Sequence, residues 1–522
     1  MYAAGHMAYP GIHAQTRPDH PAIIMASTGE TVTYRQLDER SNQVAHMFRS
    51  QGLGPGDHVA LFMENQVRFM EVVWGALRSG LYITAVNSFL AADEVTYILD
   101  NCDAELVISS RAKGAVASAI DPAAMPTVQR WLMTDGLPSG DGGPEWEPYE
   151  HAIAQYPTTP IDDEQPGFQM LYSSGTTGRP KGVKRPLPEY PIEELDPRVA
   201  TFFTQAYSFG PDMTYVSPAP LYHAAPLAFS SAVHRVGGTL VIMEKFDAEG
   251  CLRAIDRYRV THGQFVPTMF VRMLKLAEEQ RLAHDLSSLA VAVHAAAPCP
   301  IEVKRQMIEW WGPILLEYYA GSEGNGSTFI TSEEWLERPG SVGKPRNGSI
   351  HIVDGLDNDL PPGETGAIYF SGGGAYEYYK DPVKTAEAAL PGGRSTLGDI
   401  GYLDDDGYLY LTDRKAHMII SGGVNIYPQE VEDCLIAHSS VADVAVFGVP
   451  DAEMGEQVKA VIELVEGAER SPELAAELIT FCRDRIAHFK CPQSIDFEDQ
   501  LPRLPTGKLY KRLLRDRYWA SQ

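Results

Sequence analysis

In the first part of the chain, apolar residues at helical spacing alternate with short apolar runs that are typical of strands. Thr33 and Gln36 have the spacing of a capping box, and apolar residues follow them at helical spacing. Apolar runs at 58–63 and 105–109 predict strands, with a helix over 69–77 between them. Strands that alternate with helices in this way are typical of a layered α/β fold with parallel strands.

Later segments fit the same fold. The sequence Asp-Asp-Asp-Gly at 404–407 predicts a hairpin turn, because its spacing does not match a calcium loop. Residues 133–160 are rich in proline, glycine and acidic residues and predict a surface connection, and residues 184–197 predict a loop. Further strands are predicted at 168–172, 239–243, 289–294 and 366–371.

The pattern starts afresh after Arg414. Ser471 and Pro472 have the character of a helix start, and the remaining elements of a compact unit are predicted as a helix at 428–436 and strands at 444–448, 457–465 and 494–497. The fold class is therefore α/β. We expect a large multi-layer N-terminal domain with α/β subdomains at 1–413 and a small α+β domain at 414–522.

Composition and charge narrow the classes of function. The formal net charge of the 522 residues is −26, which argues against nucleic acid or an anionic membrane as the main partner. Any bound nucleotide must then be held by local positive charge and metal. The six cysteines form no C-x-x-C pair, the first residues do not resemble a signal peptide, and no apolar run approaches the ~18 residues of a membrane span. We therefore expect a cytoplasmic protein without an integral membrane segment.

A stretch of hydroxyl residues and glycines at 173–182 follows the predicted strand at 168–172. Glycine allows the backbone to approach a ligand closely, successive N–H groups form an anion cradle, and Lys181 adds a positive charge. The stretch therefore suits a polyphosphate. It is not the common P-loop, because Lys181 is followed by Gly182, and a flexible surface loop is the other interpretation.

Four further residues have side chains that could bind a ligand or metal or take part in catalysis. Glu323 lies in a stretch of small residues and could hold Mg²⁺, which prefers one or two carboxylates with phosphate oxygens. Asp399 lies between a loop and a strand, where an acid can accept hydrogen bonds from ribose. Lys508 follows a glycine turn near the C-terminus, and His223 lies among apolar residues. Taken singly, each also fits a structural role as a turn acid, a solvated lysine or a core histidine.

Together and in this order, these pieces resemble the adenylate-forming acyl-CoA synthetase superfamily. The resemblance covers nearly the whole chain and rests on residues 172–182, 319–323, 397–401, 413–414, 421–430 and 505–508. Residues 319–325 and 182–185 look most like bacterial fatty-acyl or steroid-side-chain CoA ligases.

The resemblance implies an ATP-dependent acid–CoA ligase with a C-terminal domain that moves about a joint near 414–416. In the implied reaction a carboxylate attacks the α-phosphate of MgATP, giving acyl-AMP and pyrophosphate, and the CoA thiol then displaces AMP. The implied partners are a small carboxylic acid and CoA, and the implied cofactors are ATP and Mg²⁺.

By position, the resemblance also assigns roles to individual residues. Lys508 bridges the carboxylate and the α-phosphate, and Glu323 is both a catalytic residue and the ligand of Mg²⁺. The nucleotide-binding residues are Ser173, Ser174, Gly175, Thr176, Thr177, Gly178, Lys181, Ala296, Ala297, Pro298, Tyr319, Ser322, Asp399 and Arg414. The residues of the acyl and CoA sites are His223, His294, Gly321, Gly422 and Gly423.

The sequence departs from the family pattern at four positions. Ser322 replaces the usual threonine of the Tyr-Gly-x-Thr-Glu motif, Ala320 and Ala296 stand where glycine is common, and Leu397 replaces a hydroxyl residue. These departures bear on details of nucleotide contact and not on the class of reaction.

Two other functions compete with a CoA ligase. The first is an amino-acid-type or carrier-loading adenylating enzyme without CoA as the acceptor. The amino-acid type places an Asp in the acyl pocket for the substrate amine, and residues 221–229 contain no acid. A nucleotide-binding regulatory protein without turnover would be expected to lack Lys508 or Glu323, and both are present. The sequence leaves open which fatty, aryl or steroid acid is the substrate, and whether the protein forms a homodimer.

Overall fold

A computed structural model describes residues 9–138, 143–173, 180–194, 199–414, 418–421, 424–451, 454–503 and 509–519. Over these ranges the fold is mixed α/β, with a large N-terminal domain and a smaller C-terminal domain. The large domain contains three of the sheets described below, and the small domain contains the fourth.

One sheet is entirely parallel and confirms the predicted alternation of strands and helices. The side chains of strand His58–Phe62 are buried, as a strand covered on both faces requires. In spatial order its strands are Trp146–Pro148, Arg130–Thr134, Leu106–Ser110, His58–Phe62, Tyr82–Ala85 and Phe168–Gln169.

A second, larger sheet changes from parallel to antiparallel along its width. The strands from Pro21–Met25 to Leu315–Ala320 are parallel, and pairing is antiparallel beyond them. In spatial order the strands are Thr31–Thr33, Pro21–Met25, Thr239–Ile242, Thr214–Ser217, His262–Phe265, Val291–His294, Leu315–Ala320, Ser327–Ile330, Ser341–Asn347, Leu409–Arg414, Asp399–Leu403, Gly366–Ser371, Arg394–Ser395 and Ala389–Leu390, with Ser349–Val353 also paired to Gly366–Ser371.

A small antiparallel sheet contains the strands that precede and follow residues 174–180 in the sequence, and a separate sheet forms the centre of the C-terminal domain. The small sheet consists of Glu377–Tyr378, Lys181–Lys184 and Leu171–Ser173. The C-terminal sheet consists of Val424–Ile426, Ile419–Ser421, Gly455–Leu464 and Val441–Asp451, with Ser494–Glu498 parallel to Gly455–Leu464.

The helices cover the faces of these sheets. The predicted capping box is confirmed, because the Thr33 hydroxyl accepts from Gln36 N and the Gln36 side chain accepts from Thr33 N at the start of Tyr34–Ser50. The α-helices are Pro10–Thr16, Tyr34–Ser50, Val67–Arg78, Ala92–Asn101, Gly114–Ala117, Tyr149–Ala154, Ala224–Val236, Ala248–Arg257, Pro267–Leu274, Glu278–Leu282, Ile301–Trp311, Ser332–Glu337, Pro382–Glu387, Pro428–Ile436, Pro472–Arg483 and Lys511–Trp519. A π-helix spans Val199–Ala206, and short 3-10 helices span Arg111–Lys113, Pro122–Ala124 and His488–Lys490. Over the described ranges, no helix combines the length and apolar character needed to cross a membrane.

Two predictions about the large domain were wrong. The predicted single strand at 168–172 is two strands in different sheets, Phe168–Gln169 and Leu171–Ser173. The apolar run could not show that the chain changes sheets at Met170. Residues 133–160 are also more than a surface connection, because they include strand Trp146–Pro148 and helix Tyr149–Ala154, whose Tyr149 is fully buried.

Candidate functional site

The parallel strands of the larger sheet end at a common edge, and the segments that follow them bring together residues distant in sequence. His223 lies after Thr214–Ser217, residues 295–298 lie after Val291–His294, and residues 321–323 lie after Leu315–Ala320. Ligands of open α/β sheets bind at the carboxyl ends of parallel strands. These segments all line one cavity of about 1670 Å³.

Tyr319 and Asp399 form the first pair of contacting residues at this edge. Tyr319 Oη donates a 2.6 Å hydrogen bond to Asp399 Oδ2. The Asp399 side chain is 6% exposed and lies at the start of strand Asp399–Leu403, where it is in register with Arg414. The hydrogen bond fixes the carboxylate and the ring together at the wall of the cavity.

Glu323 and Lys181 are connected through Tyr378, a residue that the sequence did not suggest. Tyr378 Oη donates to Glu323 Oε1 at 2.9 Å, and Lys181 Nζ lies 5.0 Å from the centre of the Tyr378 ring. All three residues line the cavity. Strand pairing in the small antiparallel sheet brings the ammonium group of Lys181 to Tyr378, and the loop that contains Glu323 brings its carboxylate to the same tyrosine.

Glu323 has the character expected of a magnesium ligand. Mg²⁺ in nucleotide sites is commonly held by one or two carboxylates and otherwise by phosphate oxygens and water. The described ranges contain no cluster of three or more His, Cys, Asp or Glu side chains suited to a metal ion. Glu323 supplies one carboxylate at this part of the cavity wall, which fits a cation that arrives bound to a polyphosphate.

The backbone around these residues is closely packed. A Cβ atom at Gly321 would lie 2.4 Å from Leu397 Cδ2 and 2.7 Å from Glu323 Oε2, so a larger residue there would require the ends of both side chains to move. Ala296 has a φ of +75°, in the left-handed region. Alanine is strained in that conformation, which explains why glycine is common at this position in the family that the sequence resembles.

His223 lies at the apolar end of the cavity. It precedes helix Ala224–Val236, its ring lies 4.2 Å from that of Tyr222, and burial lowers its pKa to about 3. The imidazole is therefore neutral at physiological pH. Its Nε2 is a buried atom without a hydrogen-bond partner within the described part of the chain.

The same end of the cavity is lined with aromatic rings and small residues. The Phe203 and Phe229 rings meet edge to face at 4.9 Å, and Phe229 stacks on Tyr318 at 6.1 Å. The helix contributes Ala224, Ala225, Ala228, Ser231 and Ala232 to the cavity wall. Alanines at 224, 228 and 232 recur every four residues, so one face of the helix leaves space beside the rings.

His294 is fully buried and does not belong to the described lining of the cavity. Its Nε2 lies 3.6 Å from Glu317 Oε2, which also accepts a 2.5 Å hydrogen bond from the buried Lys304 Nζ. Burial, with a smaller contribution from Lys304, lowers the pKa of His294 well below its usual value. His294 is thus a neutral histidine behind Glu317, and it is Glu317 that reaches the cavity.

The remaining predicted residues divide by whether the structure describes them. Ser173, Ala297, Pro298 and Ser322 line the cavity. Only the backbone of Arg414 is described, in strand Leu409–Arg414. Outside the described residues lie Ser174, Gly175, Thr176, Thr177, Gly178, Gly422, Gly423 and Lys508.

The described lining of the cavity holds cations together with nearly as many acidic residues, so this region is far less negative than the net charge of −26 for the whole chain. The cations at its wall are Lys181, Arg185, Arg235, Arg272, Lys275, Arg346, Arg503 and Lys511. Both domains contribute, because Lys275 lies in the large domain and donates to the main-chain oxygens of Val441 and Ala442 in the small one. Apart from Lys181, the sequence assigned no role to these cations, since an isolated Lys or Arg carries no motif.

Comparisons with known proteins agree with this arrangement. The AMP-binding enzyme family matches residues 12–380, and the AMP-binding enzyme C-terminal domain family matches residues 430–508. A fatty acid–[acyl-carrier-protein] ligase, ScoC of Streptomyces coeruleorubidus, is 31% identical over 98% of this chain and 95% of its own. The long-chain-fatty-acid–CoA ligase FadD13 of Mycobacterium tuberculosis is 31% identical over 97% of both chains.

Solved structures share the fold over 98% of this chain. MatB of Rhodopseudomonas palustris with bound ATP has a TM-score of 0.79 and 27% identity, and it covers 98% of this chain and 99% of its own. The anthranilate CoA ligase AuaEII in complex with anthranoyl-AMP has a TM-score of 0.84 at 24% identity, covering 98% of this chain and 96% of its own.

Proposed function

This chain belongs to the adenylate-forming acyl-CoA synthetase superfamily, and from that premise we propose that it activates an apolar carboxylic acid as acyl-AMP and transfers the acyl group to CoA. One observation carries the proposal. A single cavity joins the cationic and acidic groups around Tyr378 and Asp399 to an apolar pocket beside His223.

In the first half-reaction, a carboxylate oxygen attacks the α-phosphorus of ATP, a P–O bond forms, and pyrophosphate leaves. Both reactants are anions, so charge must be neutralised for them to approach. Lys181 and the hydroxyls of residues 173–177 are proposed to hold the β- and γ-phosphates, and Lys508 to bridge the carboxylate and the α-phosphate. Mg²⁺ bound at Glu323 would supply further positive charge to the phosphate oxygens.

The nucleoside is proposed to lie against Tyr319 and residues 296–298, with Asp399 and Arg414 accepting and donating hydrogen bonds at the ribose. Ser322 would contact the α-phosphate. The 2.6 Å hydrogen bond from Tyr319 to Asp399 supports this assignment, because it fixes a flat ring and a ribose-binding carboxylate at one wall. A group already held in place loses less entropy when the ligand binds.

In the second half-reaction, the CoA sulfur attacks the acyl carbon, the thiol proton is released, and AMP leaves. The C-terminal domain from residue 414 onward is proposed to reorient between the two steps, so that Gly422 and Gly423 line the path of the pantetheine arm. His223 and Gly321 would border the acyl group, and His294 would support that wall through Glu317.

The apolar pocket supports a fatty, aryl or steroid acid as the substrate class. Phe202, Phe203, Phe229 and Tyr318 surround space left by the alanine face of helix Ala224–Val236. The name of FadD13, a long-chain-fatty-acid–CoA ligase, favours a fatty acid. The name of ScoC favours an acyl carrier protein as a second candidate acceptor.

ATP–pyrophosphate exchange across a panel of carboxylic acids tests the proposal. We expect exchange with apolar acids and not with amino acids. Product analysis with the best acid should then give a thioester when CoA is added, with holo-acyl carrier protein as the competing acceptor. If none of the acids in the panel supported exchange, acid activation would be contradicted. If an acid supported exchange but gave no thioester with CoA, CoA as the acceptor would be contradicted.

A further inference from the structure

Tyr378 occupies a position between two groups that belong to different segments. It lies in strand Glu377–Tyr378 and is in register with Val183 of the neighbouring strand Lys181–Lys184. The pairing sets the tyrosine beside Lys181, at one end of the same strand. Glu323 reaches the tyrosine from the loop after strand Leu315–Ala320.

Each half of the Tyr378 side chain contacts one of these groups. The hydroxyl donates to Glu323 Oε1 at 2.9 Å, and the ring lies 5.0 Å from Lys181 Nζ. The tyrosine therefore restrains both side chains through separate atoms.

The hydrogen bond from Tyr378 engages one oxygen of Glu323 and keeps the carboxylate in place, with Oε2 as the second oxygen for a metal. Glu323 is 8% exposed, so it has little freedom to adjust if the hydroxyl is removed.

We propose that Tyr378 is a positioning residue of the adenylation step, which sets the spacing between the magnesium carboxylate Glu323 and the phosphate-binding Lys181. The inference rests on the proposed function, because it takes those two roles from it. It adds a residue that touches neither reacting atom but holds both charged groups that meet the polyphosphate.

Tyr378→Phe and Tyr378→Leu test the proposal separately for the hydroxyl and the ring. In Tyr378→Phe, we expect ATP–pyrophosphate exchange to slow about tenfold and the Mg²⁺ concentration at half-maximal rate to rise severalfold. The KM for the acid and the reaction of prepared acyl-AMP with CoA should stay unchanged. Tyr378→Leu should also raise the KM for ATP, since Lys181 loses the ring.

Tyr379→Phe is the matched control, because Tyr379 follows directly and donates its hydroxyl to Asp103 at 2.8 Å instead. Equilibrium binding of ATP with Mg²⁺ and with EDTA gives a readout that needs no known acid. We expect Tyr378→Phe to weaken binding only when Mg²⁺ is present. The inference would be overturned if ATP binding by Tyr378→Phe depended on Mg²⁺ as it does in the wild type. It would also be overturned if the substitution weakened ATP binding as much with EDTA as with Mg²⁺. Absence of exchange in the wild type, with the Mg²⁺-dependent difference retained, would instead count against the proposed function.

Discussion

At the scale of residues, the motifs pointed to Tyr319, Glu323 and Asp399, which line the cavity, but not to the contacts among them. Tyr319, Glu323 and Asp399 were all expected near a nucleotide, yet the hydrogen bond between Tyr319 and Asp399 spans 80 positions. Tyr378 was missed because its role depends on strand pairing in the small sheet, which no local pattern reveals. Its one signal was the concentration of tyrosines at 376–379.

Asp399→Ala tests the ribose assignment. We expect the KM for ATP to rise about tenfold to a hundredfold, because a hydrogen bond to a charged group contributes about 1.5–3 kcal/mol. The KM for the carboxylic acid should change little, and steady-state kinetics with each substrate varied separately will show the difference. Tyr319→Phe is the companion variant and should have a smaller effect, since the carboxylate remains. An unchanged KM for ATP in Asp399→Ala would refute the assignment.

His234→Gln tests how a buried histidine couples folding to pH. Trp74 Nε1 donates to His234 Nδ1 at 3.0 Å, and His234 Nε2 lies 3.1 Å from the Ala22 carbonyl oxygen, an arrangement that requires the neutral ring. Burial lowers the pKa of His234 to about 4. Between pH 6.5 and 4 the unfolded chain therefore binds a proton that the folded chain does not, and stability falls as the pH falls.

Relative to the variant, the wild type should lose about 1.4 kcal/mol of unfolding free energy per pH unit over that window. Above pH 6.5 the difference between the two should be constant. Urea unfolding at pH 7.5, 6.0 and 5.0 measures it, and the exposed His151→Gln serves as the control. Parallel stability curves for His234→Gln and the wild type would show that this histidine does not take part.

At the scale of elements, local signals predicted boundaries correctly where a capping side chain or a turn sequence determines them. The capping box at Thr33 and the helix start at Ser471, whose hydroxyl accepts from Leu474 N, are both confirmed. The hairpin at 404–407 is confirmed by the antiparallel pairing of Asp399–Leu403 with Leu409–Arg414. The strand at 168–172 failed because tertiary pairing divides it between two sheets.

Ala228→Phe tests whether the alanine face of helix Ala224–Val236 borders the acyl group. A phenyl ring at Ala228 would occupy space beside Phe229 and Tyr318, so exchange with long or bulky acids should fall at least tenfold, while short acids are retained. Rates across an acid series of increasing length measure this shift. Ala476→Phe, on an exposed position of helix Pro472–Arg483, is the control for the added ring. Equal loss with all acids would contradict a pocket at this face.

At the scale of the whole molecule, the sequence predicted two domains of unequal size, and the mixed α/β fold confirms that division in outline. The boundary at 413–414 and the movement of the C-terminal domain remain predictions. The cavity wall could not be predicted, because it combines isolated cations from both domains, among them Lys275 and Arg503. A net charge says nothing about where such residues meet.

The central claim is that the carboxylate itself attacks the α-phosphorus and forms an acyl-adenylate. The most direct measurement uses an accepted acid with both carboxylate oxygens replaced by ¹⁸O, turned over with ATP and CoA and analysed by mass spectrometry. Our account predicts one ¹⁸O atom in each AMP and none in pyrophosphate. Release of ADP, or ¹⁸O in inorganic phosphate with unlabelled AMP, would contradict it.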